Sequence, residues 1–140
     1  MNAKIAKEFR WEMSHRLPFH SGLCKNIHGH SYKLRVELEG ELDKNSMLLD
    51  YYEIMRIFKP VIESLDHSFI CDENDTEMLD FLKKNNFKHN IIIDYTTAEN
   101  IASYIMNLVL PEFKRFPNLN FILIRVYESE DSFAEVGFEF

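Results

Sequence analysis

Three histidines of this chain are spaced so that their rings could share one divalent cation. In Cys24-Lys25-Asn26-Ile27-His28-Gly29-His30, two imidazoles flank a glycine, and the stretch that follows, Ser31 to Leu38, alternates apolar and polar side chains. That alternation is the period of a half-buried strand. Carried backwards, it puts His28 and His30 on the face of Tyr32, Leu34, Val36 and Leu38. In the preceding segment Phe9, Trp11, Met13 and His15 share one side, and Glu8, Arg10, Glu12 and Ser14 the other. If the two segments pair as an antiparallel hairpin, the end of the first meets the start of the second, and His15 approaches His28 and His30. Three neutral imidazoles held by a rigid sheet make a zinc site with a fourth position left for water or substrate. Any one of them alone would read as a hydrogen-bonded core histidine; their matching faces at paired strand ends favour the metal.

Other groups with chemistry lie nearby in sequence. Cys24 sits just before the His-Gly-His pair and beside Lys25; a thiol near a cation ionises more readily than a free one, whereas an arbitrary cysteine is more often inert packing. Cys71 lacks such neighbours and reads as packing. Asp66-His67 ends a helical region, where a carboxylate could orient an imidazole for acid/base work; a polar helix terminus explains the pair equally simply. Glu128 follows Ile122, Ile124 and Val126 in an inward row. A buried carboxylate there needs a donor, such as a ring N–H beside an exocyclic amine, unless strand twist exposes it. His20 and His89 fall in loop-like contexts and carry no expected role.

The elements that must position these groups follow from periodicity. Ala3 to Met13 and His28 to Gly40 read as strands, joined by a connection from Arg16 to Ile27 that is too long for a tight hairpin and of the kind that often carries function. Asp50 is a helix N-cap with Glu53 three positions on. Ile54, Ile57, Phe58, Val61, Ile62 and Leu65 then form an apolar helical stripe, in which Pro60 predicts a kink or a division into two helices. Asp75 to Asn85 reads as a short helix with Met78, Leu79 and Leu82 inward. Thr97 caps a further helix with Ile101, Tyr104, Ile105 and Leu108 on one face and Pro111 at its end. Asn120 to Glu128 and Ser132 to Phe140 are strands joined by Ser129-Glu130-Asp131. The order is ββααββ, an α+β layer with a four-stranded antiparallel sheet and the helices on one face. Its open edges predict a homo-oligomer whose sheets join edge to edge.

Composition bounds the rest. The 140 residues make one domain, residues 1–140, with a single core. Sixteen basic against twenty-three acidic residues, a net charge of -7, leave no basic stripe for nucleic acid. No apolar run approaches a membrane span. Nothing at the N-terminus reads as a signal peptide, and the two cysteines form no metal-type pair, so a reduced cytoplasmic setting is expected.

Taken together, these residues resemble the family of 6-pyruvoyl-tetrahydropterin synthases and bacterial 6-carboxytetrahydropterin synthases. The resemblance spans nearly the whole chain. It is carried by the Phe9-to-His15 strand ending in His-Arg-Leu, the cysteine followed by His-Gly-His, Leu65-Asp66-His67, Thr96-Thr97-Ala98-Glu99-Asn100 and Val126-Tyr127-Glu128. It implies a tunnel-fold (T-fold) subunit whose barrel is completed by oligomerisation, commonly in hexamers with active sites at subunit interfaces. It also implies zinc on His15, His28 and His30, Cys24 as catalytic base, Asp66 with His67 as proton relay, and Glu128, helped by Thr97, as anchor of a pterin edge. Ala98 departs from relatives that often carry a hydroxyl there. The substrate implied is a pterin triphosphate, for which Arg16 and Lys25 are candidate phosphate holders by charge and proximity. Three residues separate Cys24 from His28, as in the carboxytetrahydropterin branch. The expected reaction is therefore conversion of 7,8-dihydroneopterin triphosphate to 6-carboxy-5,6,7,8-tetrahydropterin, acetaldehyde and triphosphate, on the route to queuosine. The pyruvoyl-producing reaction and a non-catalytic pterin-binding zinc protein remain as alternatives.

Overall fold

A computed structural model describes residues 1–140. Two long strands, β1 (Asn2–His15) and β2 (His28–Glu41), pair antiparallel along their whole length, with Trp11 opposite Tyr32, Met13 opposite His30 and His15 opposite His28. The expected parity holds. Trp11, Met13, His15, Tyr32, Leu34, Val36 and Leu38 are buried, while the alternate positions are half-buried or exposed. The connection between the strands contains one turn of 3-10 helix, Leu23–Lys25.

Helix α1 (Tyr51–Leu65) starts at Asp50, whose side chain accepts from the Tyr52 amide, and it runs through Pro60 as one element. The expected division at Pro60 does not occur. Pro60 and Arg56, whose carbonyl would have received the missing N–H, both face water, where solvent can satisfy that carbonyl. Helix α2 (Thr76–Lys84) is capped by Asp75, and α3 (Ala98–Phe113) by the Thr97 hydroxyl accepting from the Asn100 amide at 3.2 Å. Pro111 falls in the last turn of α3 rather than beyond it.

The sheet is larger than the sequence suggested. Besides β1, β2, β5 (Leu119–Ser129) and β6 (Ser132–Glu139), it includes two short strands, β3 (Ser68–Asp72) and β4 (His89–Ile92). The six-stranded order is β4-β3-β1-β2-β5-β6. Only four strands were expected, all antiparallel; β3 instead joins β1 in parallel and β4 joins β3 in parallel. The reason for the miss is physical. Every residue of Ser68–Asp72 is buried, so the segment shows no alternation, as is usual for a strand covered on both faces.

That two-sided burial also corrects the expectation that the helices share one face. The main core packs Ile54, Ile57 and Phe58 of α1 and Ile101, Ile105 and Val109 of α3 against Leu34, Val36, Ile70, Ile122 and Ile124. On the opposite face, Phe69 and Cys71 of β3 form a separate cluster with Met78, Leu79 and Leu82 of α2. No helix is long and apolar enough to cross a membrane.

Candidate metal centre and its surroundings

The pairing of β1 with β2 brings the three predicted imidazoles together. Ring centroids lie 4.7 Å apart for His15 and His28, 5.2 Å for His15 and His30, and 5.0 Å for His28 and His30. One ring nitrogen from each falls within 4.8 Å of the other two. His15 is the deepest, 1% exposed. Its Nδ1 lies 2.7 Å from the Thr96 carbonyl oxygen; a carbonyl only accepts, so Nδ1 carries the proton and Nε2 presents a lone pair. His28 is set in the same way, with Nδ1 donating to the Asn26 carbonyl at 2.7 Å.

These residues fit a metal. The His15 Nε2 is buried and has no partner within the chain, a condition that would cost about 1–3 kcal/mol if nothing occupied the lone pair. Desolvation, reinforced by His28 and His30 and only partly offset by Thr96, pulls the His15 pKa down to about 4. His30 is lowered for the same first reason, burial, with His28 adding to it. Imidazoles such as His15 and His28, with Nδ1 held by a carbonyl and Nε2 left free, are what zinc takes, at about 2.0–2.1 Å per nitrogen.

Glu128 reaches the same place. A bulge in the β5–β6 pairing between Tyr127 and Ser129 leaves it as the extra residue on β5, and bulges of this kind re-aim side chains. Its Oε1 stands 4.0 Å from His15 Nε2. With His15 neutral this approach is not an ion pair. Burial first, then Glu99, push the Glu128 carboxyl above its ordinary range, against the pull of His28. Tyr32, opposite Trp11 on β2, packs its ring edge against His15 and His30, and its hydroxyl is buried without a partner.

The remaining predicted residues are dispersed around this centre. Cys24 lies in the 3-10 turn, half-buried, its carbonyl accepting from the Leu17 amide at 2.8 Å; it is not part of the three-histidine cluster. Lys25 ends that turn and is exposed. Arg16 is engaged elsewhere: its Nε and Nη2 donate to the two Asp75 oxygens at 2.7 and 2.6 Å. It therefore ties β1 to the start of α2. Thr97 is half-buried at the cap of α3. Cys71 is buried, its thiol pushed up to about 12 mainly by burial, as packing residues are.

Asp66 and His67 do face each other, at 2.9 Å between Oδ2 and Nδ1. They escape the rule that neighbours on a helix diverge because both lie beyond the last helical residue. Asp66 is extended, and His67 adopts a left-handed backbone with φ 56. The Asp66 Oδ1 accepts from the Glu12 amide and the His67 amide donates to the Glu12 carbonyl. The Glu12 amide, followed by the His67 hydrogen bond, holds the Asp66 carboxyl below its usual range. His67 opens onto a cavity of about 560 Å³ that it lines with Glu12, Ser14, Ser31 and Phe69, and that His30 and Met13 also reach. By strand alternation the Glu12, Ser14 and Ser31 side chains lie on the sheet face opposite those of the three histidines. Between the two faces, Gly29 leaves the close approach open, since a methyl group there would sit 3.2 Å from the Met13 carbonyl oxygen.

Sequence reasoning gave no role to Thr96, which is 1% exposed, although the Thr96-Thr97 pair belongs to a stretch it singled out. Only the fold shows that the first threonine meets His15, 81 residues away.

Fold and site together define a tunnel-fold pterin enzyme. The 6-pyruvoyl tetrahydropterin synthase of Plasmodium vivax superposes with a TM-score of 0.80 over 100% of this chain and 99% of its own, at 21% identity. A Wolinella succinogenes protein described as uncharacterized superposes at 0.79, covering 97% and 98%, with 23% identity. The chain belongs to the 6-pyruvoyl tetrahydropterin synthase family, whose model matches residues 4–139. Among its relatives, the 6-carboxy-5,6,7,8-tetrahydropterin synthase of Haemophilus influenzae is 39% identical, over 94% of this chain and 96% of the relative. That of Aquifex aeolicus is 30% identical, over 96% and 98%.

Proposed function

We propose that this chain is a zinc-dependent 6-carboxy-5,6,7,8-tetrahydropterin synthase, a lyase that converts 7,8-dihydroneopterin triphosphate and one water to the carboxypterin, acetaldehyde and triphosphate on the route to queuosine. The observation that carries the reading is the orphaned His15 Nε2, flanked by His28 and His30, with the Glu128 carboxylate 4.0 Å away. It supports a metal position beside a group suited to a pterin's ring N–H and exocyclic amine. The relatives' names support the carboxy branch.

In this reading Glu128 grips the pterin edge, with Thr97 at the start of α3 as a second contact. Zinc on His15, His28 and His30 would supply Lewis acidity toward the substrate's side-chain hydroxyls. The Cys24 thiolate removes a side-chain proton, and His67, oriented by Asp66, exchanges protons on the other side. Lys25 supplies a cation to meet the triphosphate. The Glu12, Ser14 and Ser31 side chains beside His67 alternate away from those of the three histidines, which favours a relay supplied to one metal centre by another copy. The chain then works as a homo-oligomer, a hexamer, with sites between subunits. β1 is paired with β3 only at Met13 and Ser14, so most of its outer edge is available, as is that of β6. Two free thiols, Cys24 and Cys71, suit a cytoplasmic setting.

The test is incubation of the zinc-loaded protein with 7,8-dihydroneopterin triphosphate and identification of the products. Release of triphosphate with acetaldehyde is expected. A pyruvoyl-pterin without acetaldehyde would move the chain to the other branch, and no triphosphate release would make it a binding protein.

A further inference from the structure

Thr96 stands between the metal centre and the Arg16–Asp75 clamp, and every link is explicit. The His15 Nδ1–H meets the Thr96 carbonyl at 2.7 Å and the Thr96 Oγ1 at 3.2 Å. The Thr96 hydroxyl donates to the Arg16 carbonyl at 3.2 Å, which turns its oxygen lone pairs toward His15. Arg16 is itself fixed by two hydrogen bonds to Asp75, whose side chain is 7% exposed. Thr96 is 1% exposed, so water does not compete for these contacts.

We propose that the Thr96 side chain is a positioning group for the metal centre: by accepting from Nδ1–H beside the carbonyl that sets the tautomer, it holds His15 in the ring orientation that aims Nε2 at the ion. The backbone carbonyl alone leaves the ring free to pivot about one contact, whereas carbonyl and hydroxyl together fix its plane. The inference rests on the metal reading of the three histidines. Groups that hold the second nitrogen of a ligating histidine typically change metal affinity by roughly 10–100-fold when lost.

The experiment compares Thr96→Val, which keeps shape and removes the hydroxyl, with Thr96→Ser, which keeps the hydroxyl, in otherwise intact protein. Zinc affinity is measured by competition with a chromogenic chelator. The order of the His15 ring is read in the metal-free protein from ¹⁵N relaxation of its labelled imidazole. Thr96→Val is expected to weaken zinc at least about 10-fold and to loosen the His15 ring while leaving Nδ1 protonated, with Thr96→Ser restoring both. Equal zinc affinity and an equally ordered ring in Thr96→Val would overturn the role of Thr96. Wild-type protein that takes up no zinc would overturn the metal reading instead, and the ring-order measurement would still decide whether Thr96 orients the ring.

Discussion

At the scale of single residues, burial holds two of the three clustered imidazoles, His15 and His30, toward the neutral form that a metal takes. His15 has an unfolded pKa of about 6.5 and a folded one of about 4, lowered chiefly by burial. Its protonation therefore favours the unfolded chain: its contribution is complete above about 6.5 and is lost as the pH falls through about 4, roughly 3 kcal/mol in all. Denaturant midpoints of the metal-free protein, measured from pH 7 to pH 4, should fall across that window, and His15→Phe should flatten the fall. His28→Ala should release zinc, measured by metal analysis, whereas Cys24→Ala should keep zinc and lose turnover. The parity of the histidines was legible in the sequence because period-2 alternation assigns a face without any tertiary information. Arg16 was not, since charge and proximity suggested a ligand while its partner Asp75 lies 59 residues away.

At the scale of elements, each part of the site is delivered by a distinct local device. Paired strand ends bring the imidazoles together, a bulge aims Glu128, and a helix end followed by a left-handed residue turns His67 toward Asp66. The Arg16–Asp75 clamp joins β1 to the cap of α2. Removing either partner leaves the other charge poorly solvated, so Asp75→Ala and Arg16→Ala should each destabilise by about 2 kcal/mol. In a double-mutant cycle read by urea unfolding, the pair should lose much less than the sum. Helix caps and apolar stripes were readable one segment at a time. What the stripe of Met78, Leu79 and Leu82 could not say is which face of the sheet it covers, because that depends on Phe69 and Cys71 of a strand whose uniform burial erases its own pattern.

At the scale of the whole molecule, β1 faces two ways: His15 turns to the three-histidine cluster, Glu12 and Ser14 to the cavity with His67. If that division means a shared site between copies, an inactive Cys24→Ala chain co-assembled with an inactive His67→Ala chain should regain part of the turnover, and separately purified oligomers mixed without exchange should not. Sedimentation as a monomer under assay conditions would contradict the arrangement. One local cost remains in the account of the fold. The φ of 56 at His67 is a conformation that side chains other than glycine adopt at a cost of about 1 kcal/mol or more. His67→Gly should therefore melt at a higher temperature than His67→Ala. A turn whose dihedrals invite the smallest residue carries an imidazole instead, so what holds the histidine in that place is its ring and not its backbone.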